Sequence, residues 1–325
     1  MSSTTLFIIT FLILFFCAYL YIKIAQKFGI EDVPNYRSSH TLKTIRGGGI
    51  LFVISLFIYF FTQGLPLPYL FAAIFLVAFV SFVDDLKTLG TLSRLGAQII
   101  AVILVFYQLN LFENSIFLIF PLIIFCLGIV NIYNFMDGIN GITGFYSLAV
   151  LLSILALNYS VVIIDYKLIV FGILGIAVFG FFNFRKKAIF FAGDIGSISI
   201  GVFVTFLLLL FSFKLNTPLP FMFIAVYLVD GGVTIISRLL KKENILKPHK
   251  SHLYQNFVHV KSVNHLTVAG GYAIVQVLVN IIVIMVIHET LSLQLLTSIP
   301  LVLILIVFHI YFNRKMRPTL INQNT

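Results

Sequence analysis

The chain has 325 residues, 60% hydrophobic and 10% charged, with a mean hydropathy of +1.10. Soluble domains carry about 25% charged residues, so a water-soluble globular protein is excluded. The net charge of +10 suits topology signals, anionic lipid head groups or anionic substrates. Cys17 and Cys126 stand singly in apolar runs and give neither a disulfide framework nor metal-ligand spacing.

A span needs about 20 apolar residues to cross ~30 Å of hydrocarbon. Eleven apolar runs read as candidates: about 4–22, 48–63, 68–83, 95–109, 115–131, 144–158, 168–184, 197–213, 219–236, 268–287 and 293–312. The first has no basic segment before it and no small-residue cleavage site after it, so it is expected to be a retained span. Taking the polar gaps alternately, one side holds all of the 21 Lys and Arg except Lys167 and Lys214. The positive-inside rule makes that side cytoplasmic. The expected fold is therefore all-α and polytopic, about 11 transmembrane helices in a single domain over 1–325. The N-terminus is expected outside and the C-terminus in the cytoplasm. No internal repeat is visible, which disfavours an inverted-repeat transporter.

The cytoplasmic loops, about 23–47, 84–94, 131–144, 185–197 and 237–267, collect the chemistry. The first ends in Gly47, Gly48 and Gly49. A glycine turn before a helix permits close approach of a ligand and can offer N–H groups to an anion. Arg37, His40 and Arg46 lie within reach along the sequence. The second opens with Asp84 and Asp85. Adjacent carboxylates repel unless a cation or proton is shared, and about 100° separates them on a helix, so one could face a metal and the other a substrate.

The third loop spaces Asn131, Asn134 and Asp137 along one face of a helical segment, and Gly138 and Gly141 then break it. Such a group suits a base edge, a sugar hydroxyl or a metal shell. The fourth reads Phe191-Ala-Gly-Asp194-Ile-Gly-Ser197. Asp194 there fits a helix N-cap or a metal carboxylate beside a phosphate-binding turn, and an aromatic beside it could stack on a nucleobase. In the fifth, His249 and His252 sit among lysines, a pattern that suits metal or phosphate oxygens and equally an exposed surface cluster. No Walker A and no HExxH pattern occurs. Carboxylates with phosphate ligands suit Mg²⁺ best.

In order along the chain stand DVPNYRSSH at 32–40, GGG at 47–49, DD at 84–85, NIYNFMDGINGITG at 131–144, GDIGS at 193–197 and HKSHLYQ at 249–255. On these motifs the chain resembles the membrane-bound polyprenyl-phosphate N-acetylhexosamine-1-phosphate transferases, glycosyltransferase family 4, over about residues 30–255. The resemblance implies transfer of a sugar 1-phosphate from a UDP-sugar to undecaprenyl phosphate with release of UMP. It implies Mg²⁺ or Mn²⁺ as cofactor, with Asp194 as metal ligand. Asp84, Asp85 and His252 are the implied catalytic residues. Arg46, Asn134, Asp137, Asn140, Phe191 and His249 are the implied substrate-binding ones.

The same resemblance places the protein in a bacterial plasma membrane, with membrane lipid around it, no nucleic acid partner, and a homodimer as one assembly to test. The single His-Lys-Ser-His run looks like the branch that uses UDP-N-acetylglucosamine to start O-antigen and other surface polysaccharides. The alternatives are the phospho-N-acetylmuramoyl-pentapeptide transferase branch of cell-wall synthesis and a lipid or nucleotide-sugar transporter. Two departures from the family pattern stand out. Asn140 replaces the usual Asp, and 184–188 reads FRKKA in place of a Pro-rich stretch, leaving the alignment of Asn183 open by one residue.

Overall fold

The structure is a computed structural model that describes residues 2–32, 43–87, 89–244 and 250–316. It begins with α1 (Ser3–Phe28), capped by the Ser2 side chain and ended by Gly29 in the left-handed region. Two short antiparallel strands follow, β1 (Glu31–Asp32) and β2 (Thr44–Ile45). The helices α2 (Ile50–Thr62), α3 (Pro68–Leu86), α4 (Thr91–Gln108), α5 (Ile116–Met136), α6 (Ile142–Val161), α7 (Tyr166–Asn183) and α8 (Gly193–Leu215) come next. A 3₁₀ segment, Leu219–Ile224, leads into α9 (Ala225–Leu240). The chain then forms the short α10 (Leu253–His259), α11 (His265–Val286) and α12 (Leu291–Met316).

Among the described residues ten helices are long and apolar enough to cross a membrane, counting Leu219–Leu240 as one; this is an all-α, polytopic membrane protein. The remaining expected run, 48–63, forms the thirteen-residue α2, which falls short of that length. α8 is the central post. Its residues from Gly193 to Ser212 are almost continuously buried, as expected of a helix apolar on every face. α2, α3 and α5 pack against it. α12, by contrast, is mostly exposed, as suits a lipid-facing helix.

Helices also extend beyond the apolar runs at the ends that matter. α3 continues through Asp84 and Asp85, and α8 begins at Gly193, before the apolar run starts. Alternating helix directions therefore bring the C-terminal ends of α3 and α5 to one end of the bundle. The N-terminal ends of α2, α4 and α8 meet them there.

Candidate active site

Glycine packing builds the floor. Gly48 and Gly49 donate their N–H groups to the carbonyls of Phe191 (2.8 Å) and Ala192 (3.0 Å). Phe191 N–H donates to Ile45 O at 2.8 Å. A Cβ on Gly48 would strike the Phe190 ring, and one on Gly49 would strike Gly196 Cα. The triple glycine thus serves close approach of two backbones. Two of the N–H groups expected to face an anion are already donating within the protein.

On that floor three carboxylates meet two arginines. Arg46 Nε lies 2.7 Å from Asp85 Oδ1, and its terminal nitrogen lies 3.5 Å from Asp194 Oδ1. Arg94 in the first turn of α4 reaches Asp84 Oδ2 at 3.2 Å and Asp194 Oδ2 at 3.1 Å with the same nitrogen. Asp84 Oδ1 also accepts the Leu89 N–H at 2.6 Å. The Asp85 side chain is wholly buried, while the arginines are about a third exposed, at 36% and 32%. Asp84 and Asp85 sit at the C-terminal end of α3, where the helix dipole disfavours negative charge; the guanidinium groups supply the compensation. Asp194 lies in the first turn of α8, where the dipole favours it. Burial disfavours the charge on Arg46, but Asp85 and Asp194 outweigh it and raise its pKa further.

The helical triad of Asn131, Asn134 and Asp137 separates. Asn131 turns to Gln98 of α4 at 2.9 Å. Asn134 Oδ1 accepts from Ser197 Oγ at 2.9 Å, joining α5 to α8 beside Asp194. Asp137, just past the end of α5, accepts from Thr143 Oγ1 at 2.6 Å. Burial is the main reason its carboxyl is pushed up to about 6, reinforced by Asp194 and opposed by Thr143 and Arg46.

Asn140 is buried, and its amide donates to the carbonyls of Arg185 (2.9 Å) and Lys186 (3.2 Å). Phe191 is half-buried beside the Gly47–Gly49 turn. His252 belongs to a second cluster around Asp230 in α9. Tyr254, two residues on, links that cluster to the site by donating its hydroxyl to Phe135 O at 3.0 Å. His249, Arg37 and His40 lie outside the described residues.

Arg94 is the residue that the sequence reading passed over. Its signal was a lone cation in the first turn of an otherwise apolar helix, where positive-inside topology seemed reason enough for it. Thr143 is likewise given no role by the sequence, and Asn183 is singled out there only for its alignment; Asn183 Oδ1 accepts the Gly141 N–H at 2.7 Å, and its amide donates to Phe190 O at 2.9 Å.

A membrane helix bundle with three carboxylates bridged by two arginines at one end defines a class of integral membrane protein that gathers charged groups at the membrane edge. The sequence profile of glycosyl transferase family 4 matches residues 67–212, which include Asp84, Asp85, Arg94, Asn134, Asp137 and Asp194. A Bacillus subtilis protein named "probable undecaprenyl-phosphate N-acetylglucosaminyl 1-phosphate transferase" is 28% identical over 259 residues, 73% of this chain and 72% of that protein. The phospho-N-acetylmuramoyl-pentapeptide-transferase of Petrotoga mobilis is 28% identical over 256 residues, 67% of this chain and 78% of its own. That of Streptococcus uberis is 30% identical over 206 residues, 53% of this chain and 60% of its own. The chain is thus similar to glycosyl transferase family 4 over somewhat less than half of its length, and to proteins named for N-acetylglucosaminyl 1-phosphate transfer and for phospho-N-acetylmuramoyl-pentapeptide transfer.

Proposed function

We propose that the protein transfers N-acetylglucosamine 1-phosphate from its UDP-sugar to undecaprenyl phosphate, releasing UMP and starting a lipid-linked surface polysaccharide such as O-antigen. The observation that carries this reading is the convergence of Asp84, Asp85 and Asp194 on Arg46 and Arg94 at one end of a membrane bundle. A phosphate carried by a lipid can meet a water-borne nucleotide only at such an end, and we place it on the cytoplasmic side.

In the proposed reaction, an oxygen of the lipid phosphate attacks the sugar-bearing phosphorus. The bond from that phosphorus to the bridging oxygen breaks, and UMP leaves with the electron pair. A phosphate monoester has a second pKa near ~6, so the nucleophile is largely dianionic at neutral pH and gains little from a general base. Bringing two anions together is the larger task. Arg46 and Arg94 are about a third exposed and can turn toward phosphate oxygens. Asp84 is occupied on both oxygens, by Leu89 N–H and Arg94. That favours a role in holding Arg94 over one in taking a proton.

A donor set made of carboxylate oxygens fits a hard divalent cation. Among the described residues no three acidic, His or Cys side chains yet converge as metal ligands; the carboxylates face the arginines. Asp194 would hold Mg²⁺ or Mn²⁺, with Asp84 and Asp85 alongside, once a phosphate draws the guanidinium groups away. When bound, the ion would neutralise phosphate charge. Asn134 and Asp137 are proposed for the nucleotide, Phe191 for stacking on uracil, and His249 and His252 for the diphosphate. Asn140 is proposed to act on the substrate through the loop it ties.

The test uses UDP-N-acetylglucosamine labelled in its β-phosphate, with purified protein, Mg²⁺ and undecaprenyl phosphate. Label in the lipid fraction with UMP in the aqueous one is the expected result. Release of UDP would indicate attack at the sugar carbon. A labelled nucleotide-sugar that only changes compartment in vesicles would indicate transport. A parallel arm with UDP-N-acetylmuramoyl-pentapeptide addresses the branch represented by the Petrotoga and Streptococcus relatives; turnover of that substrate alone would overturn the choice of sugar.

A further inference from the structure

Asp230 lies in α9 about ten residues before its end, ~15 Å along the helix at 1.5 Å per residue, with 2% of its surface exposed. A carboxylate at membrane depth is costly and marks a functional position. Here it is met by donors from several segments. Oδ1 accepts the Leu253 N–H at 3.0 Å and lies 3.2 Å from His252 Nδ1 and 3.3 Å from His309 Nε2. Oδ2 accepts the Tyr272 hydroxyl at 2.6 Å and the Tyr254 N–H at 3.4 Å. Thr234 of the same helix adds a hydroxyl at 3.4 Å. One side chain of α9 therefore gathers α11, α12 and the start of α10.

Two consequences follow from this geometry. A carboxylate surrounded by donors accepts only, so His252 presents Nδ1–H to it. That fixes the ring's tautomer and orientation, with Nε2 an acceptor when the ring is neutral and a donor when it is charged. The same anchor also fixes where α10 begins. From there Tyr254 reaches back to Phe135 O, and its hydroxyl lies against Gly138, where a Cβ would collide with it. Packing alone does not lock α10, because a cavity of ≈ 340 Å³ lies beside it, lined by Val226, Leu253, Phe257, Val268, Leu305 and Phe308 among others.

We propose that Asp230 is a positioning residue of the transferase. Its carboxylate sets the tautomer and orientation of His252, and docks the histidine loop on the segment that carries Asn134 and Asp137. The proposal rests on the transferase reading above. The experiment is a double-mutant cycle of Asp230→Asn and His252→Ala in the full-length protein, read as kcat/KM for the UDP-sugar. Each single change is expected to lower kcat/KM about 10- to 100-fold, the usual cost of losing an orienting partner. In the His252→Ala background, Asp230→Asn should cost less than about threefold more, because its route of action is gone. Multiplying effects would make Asp230 a fold residue only, and wild-type kinetics in either single variant would overturn the proposal.

Should Asp230→Asn not fold, Tyr272→Phe removes one donor to Oδ2 and should show a smaller loss that likewise disappears in the His252→Ala background. Losses that persist there would overturn the proposal. Amide exchange over 250–260 and 133–138 separates the two readings. A wild-type protein inactive with every UDP-sugar defeats the transferase reading by itself. Unchanged exchange in Asp230→Asn then defeats the Asp230 proposal, and faster exchange in both segments upholds its docking role.

Discussion

Arg94 Nη1 stands 3.1 Å from Asp194 Oδ2, which sets a fixed cation against the carboxylate proposed to take a mobile one. The two positive charges compete for the same oxygen, and Arg94 also holds Asp84. Replacing Arg94 with Gln should therefore do two opposed things. The Mg²⁺ concentration giving half-maximal activity should fall, since Asp84 and Asp194 lose their competitor. Turnover at saturating Mg²⁺ should drop about 100-fold, the scale for losing one preorganised electrostatic contact to the reacting phosphates. A Mg²⁺ titration of the variant checks both, and an unchanged half-saturation point would remove Arg94 from the metal's surroundings.

The acidic residues should then divide by location. Asp194→Asn should abolish transfer while leaving membrane insertion intact, because the residue is partly reachable at 13% side-chain exposure and its partners Arg46 and Arg94 keep Asp85 and Asp84. Asp85→Asn should also lose most activity, but with lower thermal stability in detergent, since it leaves the Arg46 guanidinium without its nearest carboxylate at 2.7 Å. Removing one partner of a buried pair costs about 3–5 kcal/mol, and the exposure of Arg46 lowers that here. Activity assays beside unfolding midpoints distinguish the two. Near-wild-type turnover in Asp194→Asn would exclude it as the metal ligand.

The helices were legible because apolar runs of near span length leave few alternatives. Asp84, Asp85 and Asp194 were legible because acids at membrane edges serve no topological purpose. Arg94 was not, since a cation on the same side has that purpose already. The triple glycine pointed to a special backbone, but whether it faces a ligand or another strand of chain depends on Phe190 and Gly196, more than 140 residues away. His252 is visible in the sequence. Its pairing with Asp230 is not, because it needs α9 to lie against α10 and α12, and nothing in the sequence sets His309 apart.

Asp137 gives a prediction in pH. Its carboxyl is pushed up to about 6, chiefly by burial, whereas a free Asp titrates near ~4. Between those values the folded protein holds a proton that the unfolded chain has released, so this group's contribution to stability falls as pH rises through about 4 to 6. Asp137→Asn cannot lose a proton and escapes that fall. Without substrate or divalent ions, the variant should gain on the wild type across this window, reaching about 1–3 kcal/mol at pH 7. Its transfer activity should be reduced at every pH. Thermal unfolding in detergent at pH 4.5 and 7 measures the gap, and a gap that does not widen with pH would show that Asp137 is not held in the protonated direction by the fold.

The two departures from the family pattern meet in space, and that yields the last prediction. Asn140 Nδ2 donates to the carbonyls of Arg185 and Lys186, residues of the very segment that replaces the Pro-rich stretch. Asn183 binds back from the other side through Gly141 N–H. An Asp at 140 has no N–H to give, and would turn a carboxylate toward two carbonyl oxygens. The substitution Asn140→Asp should therefore destabilise the protein by about 0.5–1.5 kcal/mol for each hydrogen bond lost. It should also raise KM for the UDP-sugar more than it lowers kcat, because the 185–187 turn that it frees carries three cations suited to an anionic substrate. Asn140→Ser keeps a donor and should lose less of both. Unfolding midpoints and steady-state kinetics of the two variants decide the matter. An Asn140→Asp protein as stable as wild type, with unchanged KM, would show that the amide does not hold the turn.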